Sequence, residues 1–303
     1  MPIRSFTLTS ILLFSLLPFL ARADCGEQGI WLQVLGSGGP ELDDGRASSG
    51  YLIWHDARAR ILIDIGSGSL FRFEQSGAKL NDLDMLLLSH LHVDHSADLP
   101  SLIKASYFSG RDRDLPLFGP TGNALMPSAS NFVQGLFGID GVFRYLSEYL
   151  DGTDLYRLIP HDVNAGNRSE SVVLDMPPYK LTAVAVHHGP VPALAWRVEI
   201  AGKTIVFSGD MNNDYGTVAK LAKQADVFVA HNAITEEAGR VARNLHMPPS
   251  VIGEIAEQAD VKKLVLSHRM NRTLGYEQQT MSAIRQHYEG ALLFADDLQC
   301  FRL

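Results

Sequence analysis

Cysteine is scarce in this 303-residue chain, with only Cys25 and Cys300 present. Two thiols exclude a disulfide-dense scaffold, and neither has a cysteine or histidine neighbour at the spacing of a zinc site. They lie near opposite ends, where an oxidising compartment would let them pair and tie the termini; two free thiols is the alternative. Net charge is −8, and there is no lysine-rich arm and no low-complexity tract. The chain therefore has no general electrostatic attraction for nucleic acid or an anionic membrane, and nucleic acid is not an expected partner. No Gly-Lys-Ser/Thr follows the turn Gly36-Ser37-Gly38-Gly39-Pro40, so that turn is not read as a phosphate loop. Linker-like composition is missing too, which leaves one domain to hold everything.

Long apolar runs are absent except at the N-terminus. Arg4 precedes an apolar run over 8–20, broken by Pro18 and followed by Ala21-Arg22-Ala23. A basic start, an apolar centre and an Ala-x-Ala site describe a secretory signal, here residues 1–23 with cleavage after Ala23. The run is short for a membrane span. The expected mature chain is 24–303, secreted or periplasmic, with no span after cleavage.

What the chain does have is concentrated at Met85-Leu86-Leu87-Leu88-Ser89-His90-Leu91-His92-Val93-Asp94-His95. The apolar run reads as a buried strand, and three histidines and an aspartate follow it within six positions. Imidazole and carboxylate are the usual ligands of zinc and related divalent metals. His90 and His92, two apart on an extended strand end, point the same way. Asp94 and His95 come as a turn begins and can face a second ion beside the first.

Elsewhere strands alternate with helices, which makes the fold α/β. Strands are expected at 30–35, 51–54, 60–65, 85–89, 115–118, 181–186, 195–200, 203–207, 227–230, 264–266, 291–295 and 299–303. Helices are expected at 71–78, from Ser96 to about Phe108, and at 218–224, 248–259 and 281–288. Asp64, at the end of the 60–65 strand, reads equally as a carboxylate supporting the site or as a turn residue. Residues 123–170 are aromatic, with three arginines, six acidic residues and no lysine. They read as a helical insertion: an amphipathic pair on the core, or a lid or subunit contact that would make a homodimer.

Polar groups recur at strand ends: His187/His188, Asp210, His246 and His268. With Leu35 to Pro40, His90 to His95, His188-Gly189-Pro190, Ser208-Gly209-Asp210 and Leu266-Ser267-His268, the set resembles the metallo-β-lactamase superfamily over nearly all of the mature chain. Within it, the chain looks most like the ribonuclease Z and arylsulfatase branch, which shares the Gly-Pro-x-Gly turn at Gly119 to Gly122 and a histidine some twenty residues before the last ligand. It departs from the ribonuclease Z pattern at His231-Asn232-Ala233-Ile234, where that pattern has His-Glu-Ala-Thr. The resemblance implies a four-layer αβ/βα sandwich with metals in a cleft at one edge of the two sheets.

Carried over by position, the resemblance implies one ion on His90, His92 and His188 and another on Asp94, His95 and His268, with Asp210 bridging. His187 competes with His188, which directly precedes the Gly-Pro turn. Asp94 would orient or deprotonate the attacking water, and His246 would give a proton to the leaving group. Zinc is the expected ion, although iron and manganese suit the same ligands. The expected activity is hydrolysis of a phosphodiester, sulfate ester or similar small-molecule ester. Lactone hydrolysis, or binding without catalysis on the same fold, are the alternatives.

Overall fold

Along the strand Gly50–His55, Tyr51 and Ile53 turn one way and Leu52 and Trp54 the other, and both pairs are buried. A strand buried on both faces must be covered by a layer on each side. The computed structural model, which describes Cys25 and residues 27–303, meets that demand with two facing seven-stranded sheets and helices outside each. The expected signal segment, residues 1–23, lies outside the described residues.

The first sheet contains β1 (Ile30–Gly36), β2 (Gly50–His55), β3 (Arg58–Ile65), β4 (Met85–Leu87), β5 (Leu115–Pro120) and β6 (Leu158–Val163). The second holds β7 (Ser171–Met176), β8 (Tyr179–His188), β9 (Val191–Ile200), β10 (Lys203–Phe207), β11 (Val227–His231), β12 (Lys263–Ser267) and β13 (Ala291–Phe294). The last strand, β14 (Cys300–Arg302), returns to the first sheet beside β1. The spatial orders are β14-β1-β2-β3-β4-β5-β6 and β13-β12-β11-β10-β9-β8-β7. A disulfide joins Cys25 to Cys300 across 275 residues of sequence, so the pairing alternative is the one the structure contains.

Nine helices lie among the described residues: α1 (Ser69–Gln75), α2 (Val93–Ser96), α3 (Leu99–Ser106), α4 (Ala129–Phe137), α5 (Glu148–Asp151), α6 (Val218–Leu221), α7 (Arg240–Arg243), α8 (Pro249–Gln258) and α9 (Glu277–Ile284). The inner faces of the sheets meet in one core around Leu32, Tyr51, Ile61, Trp196, Phe207 and Val229. Outside the first sheet, Leu52 and Leu62 pack with Phe73 of α1, Leu102 of α3 and Val133 and Phe137 of α4. Outside the second, Val206 and Phe228 pack with Leu221 of α6, Ile252 and Ile255 of α8 and Ile284 of α9. This is the four-layer αβ/βα sandwich.

Two local expectations are corrected. The stretch 123–170 is helical only in its first part: Leu158–Val163 is β6, the edge strand of the first sheet. Pro160 obscures it, because proline signals a break everywhere except on an edge, where a missing N–H costs no ladder bond. The helix expected from Ser96 begins at Leu99, because Val93–Ser96 is already helical and Ala97 and Asp98 separate the two. The β2–β3 hairpin does turn at Asp56-Ala57, both with positive φ (47° and 62°) as a two-residue primed turn requires. Among the described residues, no helix is long and apolar enough to cross a membrane.

Candidate metal centre

The histidine motif leaves the sheet at a fixed point. Leu88 donates to Phe118 O at 2.8 Å, and its own carbonyl accepts from Trp196 Nε1 at 3.1 Å across the inter-sheet core. From there the chain turns across the carboxyl ends of the strands, the edge at which open sheets expose backbone and side chains to a ligand. His90 and His92 sit on this extended crossing, past the end of β4 at Leu87, and Asp94 and His95 fall in the single turn of α2. The other groups arrive at the same edge: His188 ends β8, Asp210 follows β10, His231 ends β11 and His268 follows β12.

Three groups of ligand-type atoms form there, each with its atoms within 4.8 Å of one another: His90, His92 and His188; His95, Asp210, His231 and His268; and His188, Asp210 and His246. His188 Nε2 lies 3.3 Å from His92 Nδ1. Its Nδ1 faces the carbonyl of Leu245 at 2.8 Å, which fixes the ring. His187 turns away on the alternating strand, contacting Asp214 at 3.5 Å and Tyr215 instead. The structure thus brings His188 into the cluster and leaves His187 outside it.

Asp210 belongs to two of the groups. Its Oδ1 is 2.7 Å from His231 Nδ1. Its Oδ2 is 3.4 Å from His268 Nε2, 3.6 Å from His95 Nε2, 3.7 Å from His188 Nε2 and 3.8 Å from His246 Nδ1. Asp94 joins through Oδ2, 3.2 Å from His268 Nε2 and 3.6 Å from His95 Nε2. All seven expected ligands and His246 therefore meet at one place.

The donor set fits divalent cations. His90 Nε2, His95 Nε2 and His246 Nδ1 are buried with no hydrogen-bond partner. A buried polar atom left unpaired costs about 1–3 kcal/mol, so several beside two carboxylates make sense as ligands or proton carriers. Burial pushes His90 far down, helped by His95 and His188. It also pushes His231 to about 4 and His246 to about 3, against the pull of Asp210. In His95 and His268 burial is outweighed by the surrounding carboxylates, and both are raised. Burial raises Asp94 and Asp210, yet the neighbouring histidines hold both below the ordinary carboxylate range. Nitrogen and oxygen ligands without sulfur suit zinc, iron or manganese.

Three residues extend the centre outward. Asp64, at positive φ (52°), accepts from Ser89 N at 2.7 Å and meets Ser89 Oγ and His95 Nδ1, both at 2.7 Å. Of its two readings, the supporting carboxylate is the one realised: it holds the His95 ring so that Nε2 faces the cluster. Tyr51 was not marked by the sequence, and His231 stood out only as the histidine opening the stretch that departs from the ribonuclease Z pattern. Tyr51 is fully buried, its hydroxyl 3.0 Å from His231 Nε2 and 2.9 Å from Ser267 Oγ. A lone histidine at a strand end and a tyrosine in a β2 apolar run carry no local signal of that pairing. Asp64→Asn should lower metal affinity about 10–100-fold, because an amide cannot hold both Ser89 and His95 as the carboxylate does. Equilibrium dialysis against a metal buffer reads this directly; unchanged affinity would remove Asp64 from the centre.

With that geometry in place, similarity to known proteins is decisive. Residues 59–269 match the family model described as beta-lactamase superfamily domain. The chain belongs to the metallo-β-lactamase superfamily. Ribonuclease Z of Mycobacterium sp. (strain KMS) is 31% identical over 250 residues, spanning 79% of this chain and 84% of that protein. The metallo-β-lactamase fold protein YhfI from Bacillus subtilis superposes with a TM-score of 0.71 at 20% identity, covering 90% of this chain and 98% of that one. The short form of human tRNase Z superposes at 0.67, with 20% identity over 89% and 98% of the two chains. The chain is a metal-dependent hydrolase of the ester-cleaving, ribonuclease Z-like kind.

Proposed function

We propose that this hydrolase is exported, carries two divalent ions, and cleaves a phosphodiester, sulfate ester or similar small ester. The observation that carries the two-ion reading is Asp210. Its Oδ1 is engaged by His231, while its Oδ2 lies within 3.8 Å of nitrogens belonging to both histidine groups. His90, His92 and His188 would hold one ion, and Asp94, His95 and His268 the other, with Asp210 shared. When bound, such ions supply Lewis acidity toward a substrate oxygen and lower the pKa of water.

The protein's own groups do the rest. Asp94 Oδ2 would orient the attacking water or accept its proton. His246 Nδ1, buried and without a hydrogen-bond partner, would give a proton to the leaving oxygen once negative charge developing beside it raises its pKa from about 3. His231 keeps Asp210 from rotating, and Asp64 keeps His95 from rotating. Export rests on Arg4, the apolar run after it and Ala21-Arg22-Ala23, and implies a secreted or periplasmic enzyme.

The expectation that nucleic acid is not a partner conflicts with the name its curated relatives carry, ribonuclease Z. RNA therefore belongs among the test substrates despite the net charge of −8. The purified mature chain is assayed on bis-p-nitrophenyl phosphate, p-nitrophenyl sulfate, an acyl-homoserine lactone, nitrocefin and a short RNA, with bound metal measured in parallel. The expected result is phosphodiester cleavage, about two ions per chain, and loss of activity on chelation. Cleavage of the lactone alone would move the enzyme to cyclic esters. No cleavage with both ions bound would make it a binding protein, and one ion per chain would overturn the shared role of Asp210. His246→Ala should slow esters with poor leaving groups far more than nitrophenyl esters; equal losses would end its proton-donor role.

A further inference from the structure

At the opposite ends of the same strands lies a second cavity, of about 750 Å³. It opens where the start of β8 and the β7 edge face β3, β4 and β5. Tyr179 lines it, and His188 of the metal centre is nine residues further along β8, roughly 30 Å away at strand rise. The cavity is therefore separate from the hydrolytic centre, and its size is that of a small-molecule pocket.

Its chemistry has two parts. The walls are apolar: Met85 and Phe118 come from the inter-sheet core, and Val173 and Leu174 of β7 pack against that core from the other side. The polar lining sets two guanidinium groups, Arg60 and Arg113, and the rings of His55 and His161 against a single carboxylate, Asp84. That carboxylate is already shared among Arg113 at 2.7 Å, Arg60 at 3.6 Å and the hydroxyl of Tyr179. Arg60 is left with Nε buried and without a hydrogen-bond partner. Arg113 also donates to the carbonyls of Asn81 and Leu83 at 2.7 and 3.2 Å, and Arg60 to that of Asp82 at 3.4 Å, so the two guanidinium groups share one anion and Arg60 Nε is the donor left for a second. His161 stacks on Phe118 with ring centroids 4.8 Å apart, extending the apolar wall with a flat aromatic surface.

We propose that this cavity binds an amphipathic carboxylate. The carboxylate pairs with Arg60 and Arg113, and an apolar or aromatic body lies along Met85, Phe118 and Leu174. An inorganic anion would meet the arginines and leave the apolar walls wet; a neutral hydrophobe would leave the guanidinium groups as they are. Only a ligand with both parts uses both observations. Charge-assisted pairing of this kind supports at least a tenfold preference for the acid over its neutral analogue, of order 10–100-fold.

Calorimetric titration of the metal-loaded full chain with phenylbutyrate, phenylbutanamide and inorganic phosphate tests this. The acid should bind saturably at one site, with the amide and phosphate each weaker by about tenfold or more. Arg60→Gln with Arg113→Gln should weaken the acid by a similar factor while ester hydrolysis is unchanged. Arg113 is half-exposed, so Arg113→Gln alone serves if the double variant fails to fold. Asp210→Ala should leave acid binding intact, which separates this cavity from carboxylate capture at the metal centre. The proposal falls if no saturable binding occurs, if the amide or phosphate binds as tightly, if the arginine variants bind unchanged, or if Asp210→Ala abolishes binding.

Discussion

Asp210→Ala should empty most of the metal centre and reduce ester hydrolysis by more than about 100-fold, beyond the 10–100-fold loss typical of residues that only support a ligand. The side chain is 2% exposed and its two oxygens do different work. Oδ1 meets His231, and Oδ2 faces His95, His188, His246 and His268 at 3.4–3.8 Å. Alanine removes the one group common to both histidine sets, so affinity should fall at both. It also strands His95 and His268, whose raised basicity depends in part on this carboxylate. Breaking a buried charged pair costs about 3–5 kcal/mol, so the apo variant should melt earlier than the apo parent. Asp210→Asn separates shape from charge: the amide oxygen can still accept from His231 Nδ1, while the histidines lose their anion. Metal content by mass spectrometry, with circular dichroism to confirm folding, decides the matter. If Asp210→Asn binds its full complement of metal, Asp210 is not a shared ligand.

How much of this centre was legible in the sequence depended on whether the information was local. His90 to His95 lie within six positions after an apolar run, so the motif announces itself. His188 and His268 each stand beside a recognisable turn, and so does Asp210 after Ser208-Gly209. Tyr51, His231 and Ser267 form a hydrogen-bonded set over sequence separations of 180 and 216 residues. Nothing near any one of them points to the others. Asp64 was ambiguous for the same reason: its partner His95 lies 31 residues on, and both a turn residue and a supporting carboxylate look alike from the strand that ends there. The fold shows a parallel contrast. Strands buried on both faces carry plain apolar runs, Tyr51 to Trp54 in β2 and Ile205 to Phe207 in β10. The edge strands β6 and β7 carry Pro160, His161, Asp162 and Asp175 and show no strand pattern, so β6 was absorbed into the expected helical insertion; an edge needs only one paired side and one buried face.

Gly66→Ala should damage the same centre from outside the ligand set. Gly66 follows β3, and a Cβ placed on it would lie 2.0 Å from the Asp94 carbonyl oxygen, 2.6 Å from the Asp94 carbonyl carbon and 2.7 Å from Ser48 Cβ. Two of those three atoms are backbone of α2, so no side-chain rotation relieves the overlap. The turn bearing Asp94 and His95 would have to move, and it is tied to β3 at both ends of the contact. Asp98 N donates to Ile65 O at 3.1 Å, and Asp64 holds His95 Nδ1 at 2.7 Å. Overpacking of this kind costs about 1–3 kcal/mol, and a misplacement near 1 Å at reacting groups can cost about 100-fold in rate. The expected result is a lowered melting temperature, weakened metal binding, and hydrolysis reduced about 100-fold or more. Gly135→Ala is the control: Gly135 lies within α4, an added Cβ meets nothing within 4 Å, and alanine should stabilise that helix by about 0.5–1 kcal/mol. If Gly66→Ala binds metal and turns over like the parent, the close packing of α2 on the end of β3 does not position Asp94 and His95.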